Sequence, residues 1–251
     1  MSTPSLADVA IIGGSGFYEP GAPSEAVAVA TPWGPVPLRI AQLGDRPVAF
    51  LARHGAGHTV PPHRIDNRAN LWALHEVGVT KVVASFACGS LVPAWGPGTI
   101  VVPDQLIDRT QGRVDTFHDT FDAGPQHAAF ADPYDAGVRS GALAAAAAIG
   151  EVVEDGATVV VINGPRFATR AESRGYRTAG AHLINMTQYP ESVLARELGL
   201  AYGAVGLVTD HAAGVDDRAD IAPVTQEAVF EEFARHLPRL RALVVATATS
   251  L

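Results

Sequence analysis

Short apolar runs recur along this chain, each closing on glycine and polar residues. Between them lie stretches with apolar positions at helical spacing. Val9-Ala10-Ile11-Ile12 ends on Gly13-Gly14-Ser15-Gly16, the pattern of a buried strand entering a tight loop. Residues 47–51 form a second such strand, ending on Arg53-His54-Gly55, and a polar loop with Pro61 and Pro62 follows. Ala69, Trp72, Ala73 and Val77 predict a helix over 67–77, with Gly78 as its stop. Residues 81–86 read as a strand running into Ala87-Cys88-Gly89-Ser90. Residues 99–102 and 105–108 are β-like on either side of Pro103-Asp104. Residues 110–134 show no period, and so long a stretch in a compact domain is usually functional or mobile. The remainder predicts helix 136–148, strand 157–162, helix 169–179, strand 182–186, helix 189–197, strand 201–209, a loop over 210–222 and a closing helix 225–249.

Strands alternate with helices, and several strands are apolar throughout. This predicts one α/β domain over residues 1–251, with a largely parallel, mixed central sheet flanked by helices. In such sheets ligands sit beyond the carboxyl ends of the strands, which here carry the Gly, Ser, Arg, His and Asp residues.

Composition narrows the function. The formal net charge of −8 argues against a nucleic-acid partner. Charged residues are 18% of the chain, which fits either a large subunit interface or simply a large core, since 47% is apolar. A single cysteine, Cys88, excludes an intrachain disulfide and suits a reducing, cytoplasmic compartment. Residues 1–8 lack the basic and apolar regions of a signal peptide, and no run reads as a membrane span. The expected chain is therefore a cytoplasmic one with no membrane partner.

The glycine loop after the first strand reads either as a backbone nest for an anion, with Ser15 adding a hydroxyl, or as a turn only. It lacks the third glycine of a dinucleotide fingerprint and the lysine of a P-loop. Arg53 and His54 lie beside His58 and His63. Arginine is the bidentate partner of phosphate, whereas no metal motif accompanies the histidines, so no metal is expected. Ser90 lacks a nucleophile-elbow context, and Cys88 reads as a small buried residue. Asp210, after a continuous apolar strand, is either a helix cap or an acid able to share a proton with a leaving group.

Taken in order, several segments resemble the methylthioadenosine phosphorylase branch of the trimeric purine nucleoside phosphorylase superfamily. They are Ile11-Ile12-Gly13-Gly14-Ser15-Gly16, Leu51-Ala52-Arg53-His54-Gly55, Asn67-Arg68-Ala69-Asn70-Leu71-Trp72-Ala73-Leu74, Val102-Pro103-Asp104-Gln105 with Ile107-Asp108-Arg109-Thr110, Gly164-Pro165-Arg166-Phe167, Thr169-Arg170-Ala171-Glu172-Ser173, Asn185-Met186-Thr187 with Pro190-Glu191, and Val208-Thr209-Asp210. The resemblance implies attack of inorganic phosphate on the anomeric carbon of a purine nucleoside as the purine departs. Phosphate is then the co-substrate, with no metal or organic cofactor. It implies Ser15, Arg53, His54, Ala87 (through its backbone) and Thr187 for phosphate. Met186 would lie under the ribose, Phe167 would stack on the base, and Asp210 would bind the purine and assist protonation. The 5′ substituent would meet His58, Val229, Phe230 and, from a neighbouring subunit of a homotrimer, His127.

Three residues depart from the family pattern. Ala212 stands where adenine-specific members carry a second Asp, which opens 6-oxopurines. Gln226 occupies an apolar position of the 5′ pocket. Phe86 replaces a small polar residue before Ala87. Besides a 5′-methylthio purine nucleoside, inosine or guanosine is therefore an alternative substrate. Nucleoside hydrolysis or a nucleoside-binding sensor are further readings.

Overall fold

The computed structural model describes residues 5–122, 124–215 and 225–251. Its eleven strands join one mixed sheet. In chain order they are β1 (Val9–Gly13), β2 (Ser24–Val29), β3 (Val36–Leu43), β4 (Arg46–Ala52), β5 (Lys81–Ser90), β6 (Ile100–Val102), β7 (Gln105–Arg109), β8 (Val153–Asp155), β9 (Thr158–Ile162), β10 (Leu183–Asn185) and β11 (Ala201–His211). The helices are α1 (Asn67–Glu76), α2 (Ala136–Ile149), α3 (Arg170–Thr178), α4 (Gln188–Glu197) and α5 (Gln226–Ser250). The main strand order is β2-β3-β4-β1-β5-β10-β9-β7, and β11 continues from β5 to β6 and β8.

The uninterrupted apolar runs follow from burial on both faces of the sheet. Ala10, Ile12, Leu51, Val82 and Ala84 face one layer, completed by Leu71 and Leu74 of α1 and Leu194 of α4. Val9, Ile11, Phe50 and Val83 face the other, with Val138 and Ala142 of α2 and Phe233, Leu240 and Leu243 of α5. Parallel pairing joins β1 to β4 and β5, β11 to β5, β9 to β7 and β10, and β6 to β8. Antiparallel pairing joins β3 to β2 and β4, β10 to β5 and β11 to β6.

Three readings of the chain are corrected. The β2–β3 hairpin and the short β8 have no counterpart in the predicted elements. Strand β5 runs on to Ser90, so Ala87, Cys88 and Gly89 are strand rather than loop. Strand β11 runs on to His211, which places Asp210 inside a strand. The rest of the predicted 210–222 loop lies partly outside the described residues. Among the described residues, no helix is long and apolar enough to cross a membrane.

The pairing of β5 opens the cleft. β11 pairs along one edge of β5 from Lys81 to Ser90. On the other edge β1 covers only Lys81 to Ala84, and β10 only Gly89 and Ser90. Ser85 to Cys88 face the gap between β1 and β10, a topological switch point of the kind where α/β folds bind ligands.

Candidate active site

The gap at β5 is the floor of a cavity of about 540 Å³. One wall is the glycine loop after β1. The Gly14 N–H donates to Ser85 Oγ at 3.0 Å. A Cβ on Gly14 would stand 2.8 Å from the Ser85 carbonyl and 3.2 Å from Arg53 Nη1, so only glycine lets the loop lie this close. Ser15 follows in the cavity lining.

Arg53 leaves the end of β4 and is 2% exposed, so its charge needs a partner. Glu191 of α4, fully buried, supplies it by a fork of two bonds, from Nε at 2.6 Å and Nη2 at 2.7 Å. Nη1 donates to the Ser85 carbonyl at 2.9 Å, on the edge that β1 leaves unpaired. Tyr202 of β11 donates to Glu191 Oε1 at 2.6 Å and braces the carboxylate. Burial pulls the guanidinium pKa down, but Glu191 more than reverses this and Arg53 stays charged. A guanidinium has five N–H donors, and these three bonds leave two over on the group that lines the cavity.

Ala87 lies farther along the gap, and its carbonyl accepts from Asn185 Nδ2 at 2.9 Å. A strand residue turns its N–H and C=O to the same edge, so the Ala87 N–H also faces the gap. Asn185 Oδ1 in turn accepts from the N–H groups of Thr187 at 2.7 Å and Gln188 at 2.8 Å, fixing the loop that carries Met186 and Thr187.

His54 is neutral. Burial first, then the Arg53 charge, lowers its pKa to about 3. Its Nδ1 lies 2.9 Å from the Val60 carbonyl, which only accepts, so Nδ1 carries the proton and Nε2 the lone pair. His58 stacks on it at 4.1 Å between ring centroids, takes φ +58° and pairs through Nδ1 with the Tyr18 hydroxyl at 3.1 Å. Burial lowers the His58 pKa as well. The Phe230 ring meets His58 edge-on. Gln226, Val229 and Phe230 face the cavity together because they lie three and four residues apart on α5.

At the opposite end stands Asp210. The β5–β11 register slips between Val208 and Asp210, leaving Thr209 as an extra residue. Such a bulge re-aims the side chain that follows it. The carboxylate is turned over Gly89, where a Cβ would lie 2.9 Å from Oδ2. Thr209 Oγ1 donates to Oδ1 at 2.8 Å. Burial raises the Asp210 pKa to about 6, against the opposing pull of the Thr209 hydrogen bond and His211. The carboxyl is thereby poised to give or share a proton near neutral pH. Beside it, Ala212 is buried in an apolar cluster with Ile162 and Ile184. Phe167 sits at the mouth, 40% exposed, a large flat surface open to a ring. A capping box between Thr169 and Glu172, with Arg166 on Glu172, anchors α3 just behind it.

Thirteen of the fourteen residues that the sequence placed at the site thus line one cavity: Ser15, Arg53, His54, His58, Ala87, Phe167, Met186, Thr187, Asp210, Ala212, Gln226, Val229 and Phe230. His127 is not among them. It is exposed in the irregular stretch after β7, its ring against Phe121. Cys88 is buried, with its thiol pushed well up by burial and by Asp210, as a packing residue rather than a nucleophile. Phe86 turns its ring into the core over Gly206, where a Cβ would come within 2.6 Å of it. Sequence reasoning gave no role to Glu191, Tyr202, Ser85 or Asn185. Asn185 and Glu191 both stand in stretches that carry the family resemblance, beside the Met186-Thr187 pair, whereas Tyr202 and Ser85 had no such signal.

An anion cradle at one end and a proton-holding carboxyl at the other suit transfer of a glycosyl group to an oxyanion, and the comparisons with known proteins agree. The model of the phosphorylase superfamily matches residues 8–248. An S-methyl-5′-thioadenosine phosphorylase of Mycolicibacterium smegmatis is 53% identical, over 93% of this chain and 87% of its own. A 6-oxopurine nucleoside phosphorylase of Pyrococcus furiosus is 43% identical, over 84% of this chain and 82% of its own. Among solved structures, a methylthioadenosine phosphorylase from Schistosoma mansoni in complex with adenine superposes with a TM-score of 0.90 at 33% identity, covering 97% of this chain and 91% of that one. The chain belongs to the phosphorylase superfamily.

Proposed function

We propose that this protein catalyses phosphorolysis of a purine nucleoside bearing a 5′-methylthio group, giving the free purine and a ribose 1-phosphate derivative. The observation that carries the reading is the single cavity joining the Gly14–Arg53–Ala87 cradle to Asp210. Phosphate, the co-substrate, is held by the Ser15 hydroxyl, the free donors of Arg53, the Ala87 N–H and Thr187. His54, being neutral, adds no positive charge there. The ribose lies over Met186, and the base lies between Phe167 and Asp210. Asp210 shares its proton with the departing purine, which lowers the barrier to leaving-group expulsion. The cradle places the anion against the developing oxocarbenium centre. No metal or organic cofactor takes part. The working form is a cytoplasmic homotrimer in which the exposed His127 reaches a neighbouring subunit's 5′ pocket.

Two residues favour a second reading, a 6-oxopurine nucleoside such as inosine or guanosine. Ala212 gives the base end a buried methyl group where a 6-amino group would seek an acceptor, and Gln226 brings an amide to the 5′ end. Methylthioadenosine, methylthioinosine, adenosine and inosine, each assayed at saturating phosphate, separate the readings by their kcat/KM order. Substituting Ala212→Asp is expected to shift the amino-to-oxo preference by about tenfold or more toward 6-aminopurines. An unchanged ratio places the base elsewhere.

A further inference from the structure

The long irregular stretch between β7 and α2, where the resemblance singles out His127, also delivers a guanidinium to the back of the site. Arg113 donates from Nε to Asn163 Oδ1 at 3.3 Å. Its Nη1 donates to the Tyr189 carbonyl, and its Nη2 to the carbonyls of Met186 at 2.8 Å, Asn163 at 2.9 Å and Ile162 at 3.4 Å. Every one of these acceptors is neutral. Surface arginines pair with carboxylates, whereas a guanidinium aimed at four main-chain oxygens and one side-chain amide serves to hold backbone in place.

The backbone it holds comes from two loops that build the cavity. Ile162 and Met186 line it, and Asn163 leads through Gly164 and Pro165 to Phe167. The two loops already lean on each other, for a Cβ on Gly164, at φ +64°, would stand 2.6 Å from Met186 Sδ. The peptide joining Met186 to Thr187 is gripped at both ends. Its oxygen accepts from Arg113, and its N–H donates to Asn185 Oδ1 at 2.7 Å. That peptide sets where the Met186 and Thr187 side chains enter the cavity. Three further bonds dock the segment itself on α4: Tyr189 donates to Asp115 at 2.7 Å, and Thr116 Oγ1 and the Phe117 N–H donate to Glu197 at 2.8 Å and 2.7 Å.

We propose that Arg113 is a positioning residue for the nucleoside, locking the loop after β9, which carries Phe167, to the loop after β10, which carries Met186 and Thr187. The assignment rests on the nucleoside reading of the cavity. Of the phosphate cradle, Gly14, Ser15, Arg53 and Ala87 stand on other elements and only Thr187 rides on a loop that Arg113 holds, so the nucleoside suffers more than phosphate when Arg113 is lost. In steady-state kinetics with both substrates varied, Arg113→Ala lowers kcat/KM for the nucleoside by about 10²-fold while the phosphate KM rises by no more than about fivefold, the part that Thr187 carries. Millimolar guanidinium chloride restores at least about tenfold of that loss, which a purely structural defect does not allow. Arg113→Lys keeps the charge but has three donors, and it remains impaired toward the nucleoside.

Wild-type nucleoside kinetics in either variant overturns the assignment, as does an equal loss toward both substrates without guanidinium rescue. Failure of both variants to fold overturns it in favour of a scaffolding role. The wild type is run in the same assay. Its turnover with phosphate upholds the nucleoside reading even when the Arg113 assignment fails, and its lack of turnover overturns both.

Discussion

Replacing Glu191 by alanine is expected to cost about 3–5 kcal/mol of folding stability, the largest single loss predicted for this protein. Glu191 and Arg53 have side chains 1% and 0% exposed, joined by two short bonds. Removing the carboxylate leaves a guanidinium in the core with no counter-charge, and the Tyr202 hydroxyl keeps only its longer acceptor, Gln188 Oε1 at 3.2 Å. Urea titration followed by circular dichroism reads the effect as a lower midpoint at unchanged slope. Glu191→Gln keeps one acceptor oxygen for the fork and falls between the two. The phosphate KM rises in both variants, because Arg53 no longer has a fixed direction. A midpoint within 1 M urea of wild type for Glu191→Ala, taking a slope of roughly 2 kcal/mol/M, contradicts the role given to the pair.

Replacing Asp210 by alanine is expected to reduce kcat by about 10²-fold or more, the size of a lost general acid. The pH dependence has a definite sign. The carboxyl pKa is raised to about 6 from 3.8, so its proton is present below that pH and is lost as pH rises through it. A descending limb of kcat/KM near pH 6 follows for any nucleoside whose purine takes that proton. Asp210→Asn, a permanent donor, removes this limb. Stability moves the same way. A raised folded-state pKa means that the proton stabilises the fold below about pH 4, and that this contribution disappears as pH rises through about 6. At pH 8 the wild type therefore carries a buried carboxylate at a cost of roughly 2–3 kcal/mol. Asp210→Asn is expected to melt higher than wild type at pH 8 and to lose that advantage at pH 4. Equal melting temperatures at both values would show that Asp210 is solvated in the folded protein.

These two residues also show which parts of the account the sequence could carry. Asp210 was legible because an acid closing an apolar strand is conspicuous. What was hidden was the bulge at Thr209, which keeps Asp210 in the strand and turns it over Gly89. Glu191 was not legible as a buried residue, because an acid in the first turn of a helix normally faces water and complements the helix dipole. Its burial depends on Arg53, 138 positions away in the chain. Strands β1, β4, β5, β9 and β11 announced themselves by unbroken apolar runs, the mark of burial on both faces. The β2–β3 hairpin did not, since Pro37 inside β3 argues against a strand and β2 lies at the sheet edge with no buried residue. Arg113 sits in a segment with no period, and the main-chain carbonyls that make up most of its partners leave no trace in a sequence.

The central claim is that the anion cradle beside Ser85–Cys88 holds the attacking group. It is tested most directly by following purine release and ribose 1-phosphate formation together, by absorbance and phosphorus NMR, as inorganic phosphate is titrated from zero. The account predicts no release without phosphate, saturation as phosphate rises, and one phosphorylated sugar formed for each purine freed. Purine release at an undiminished rate in phosphate-free buffer, with free sugar as the product, would contradict it.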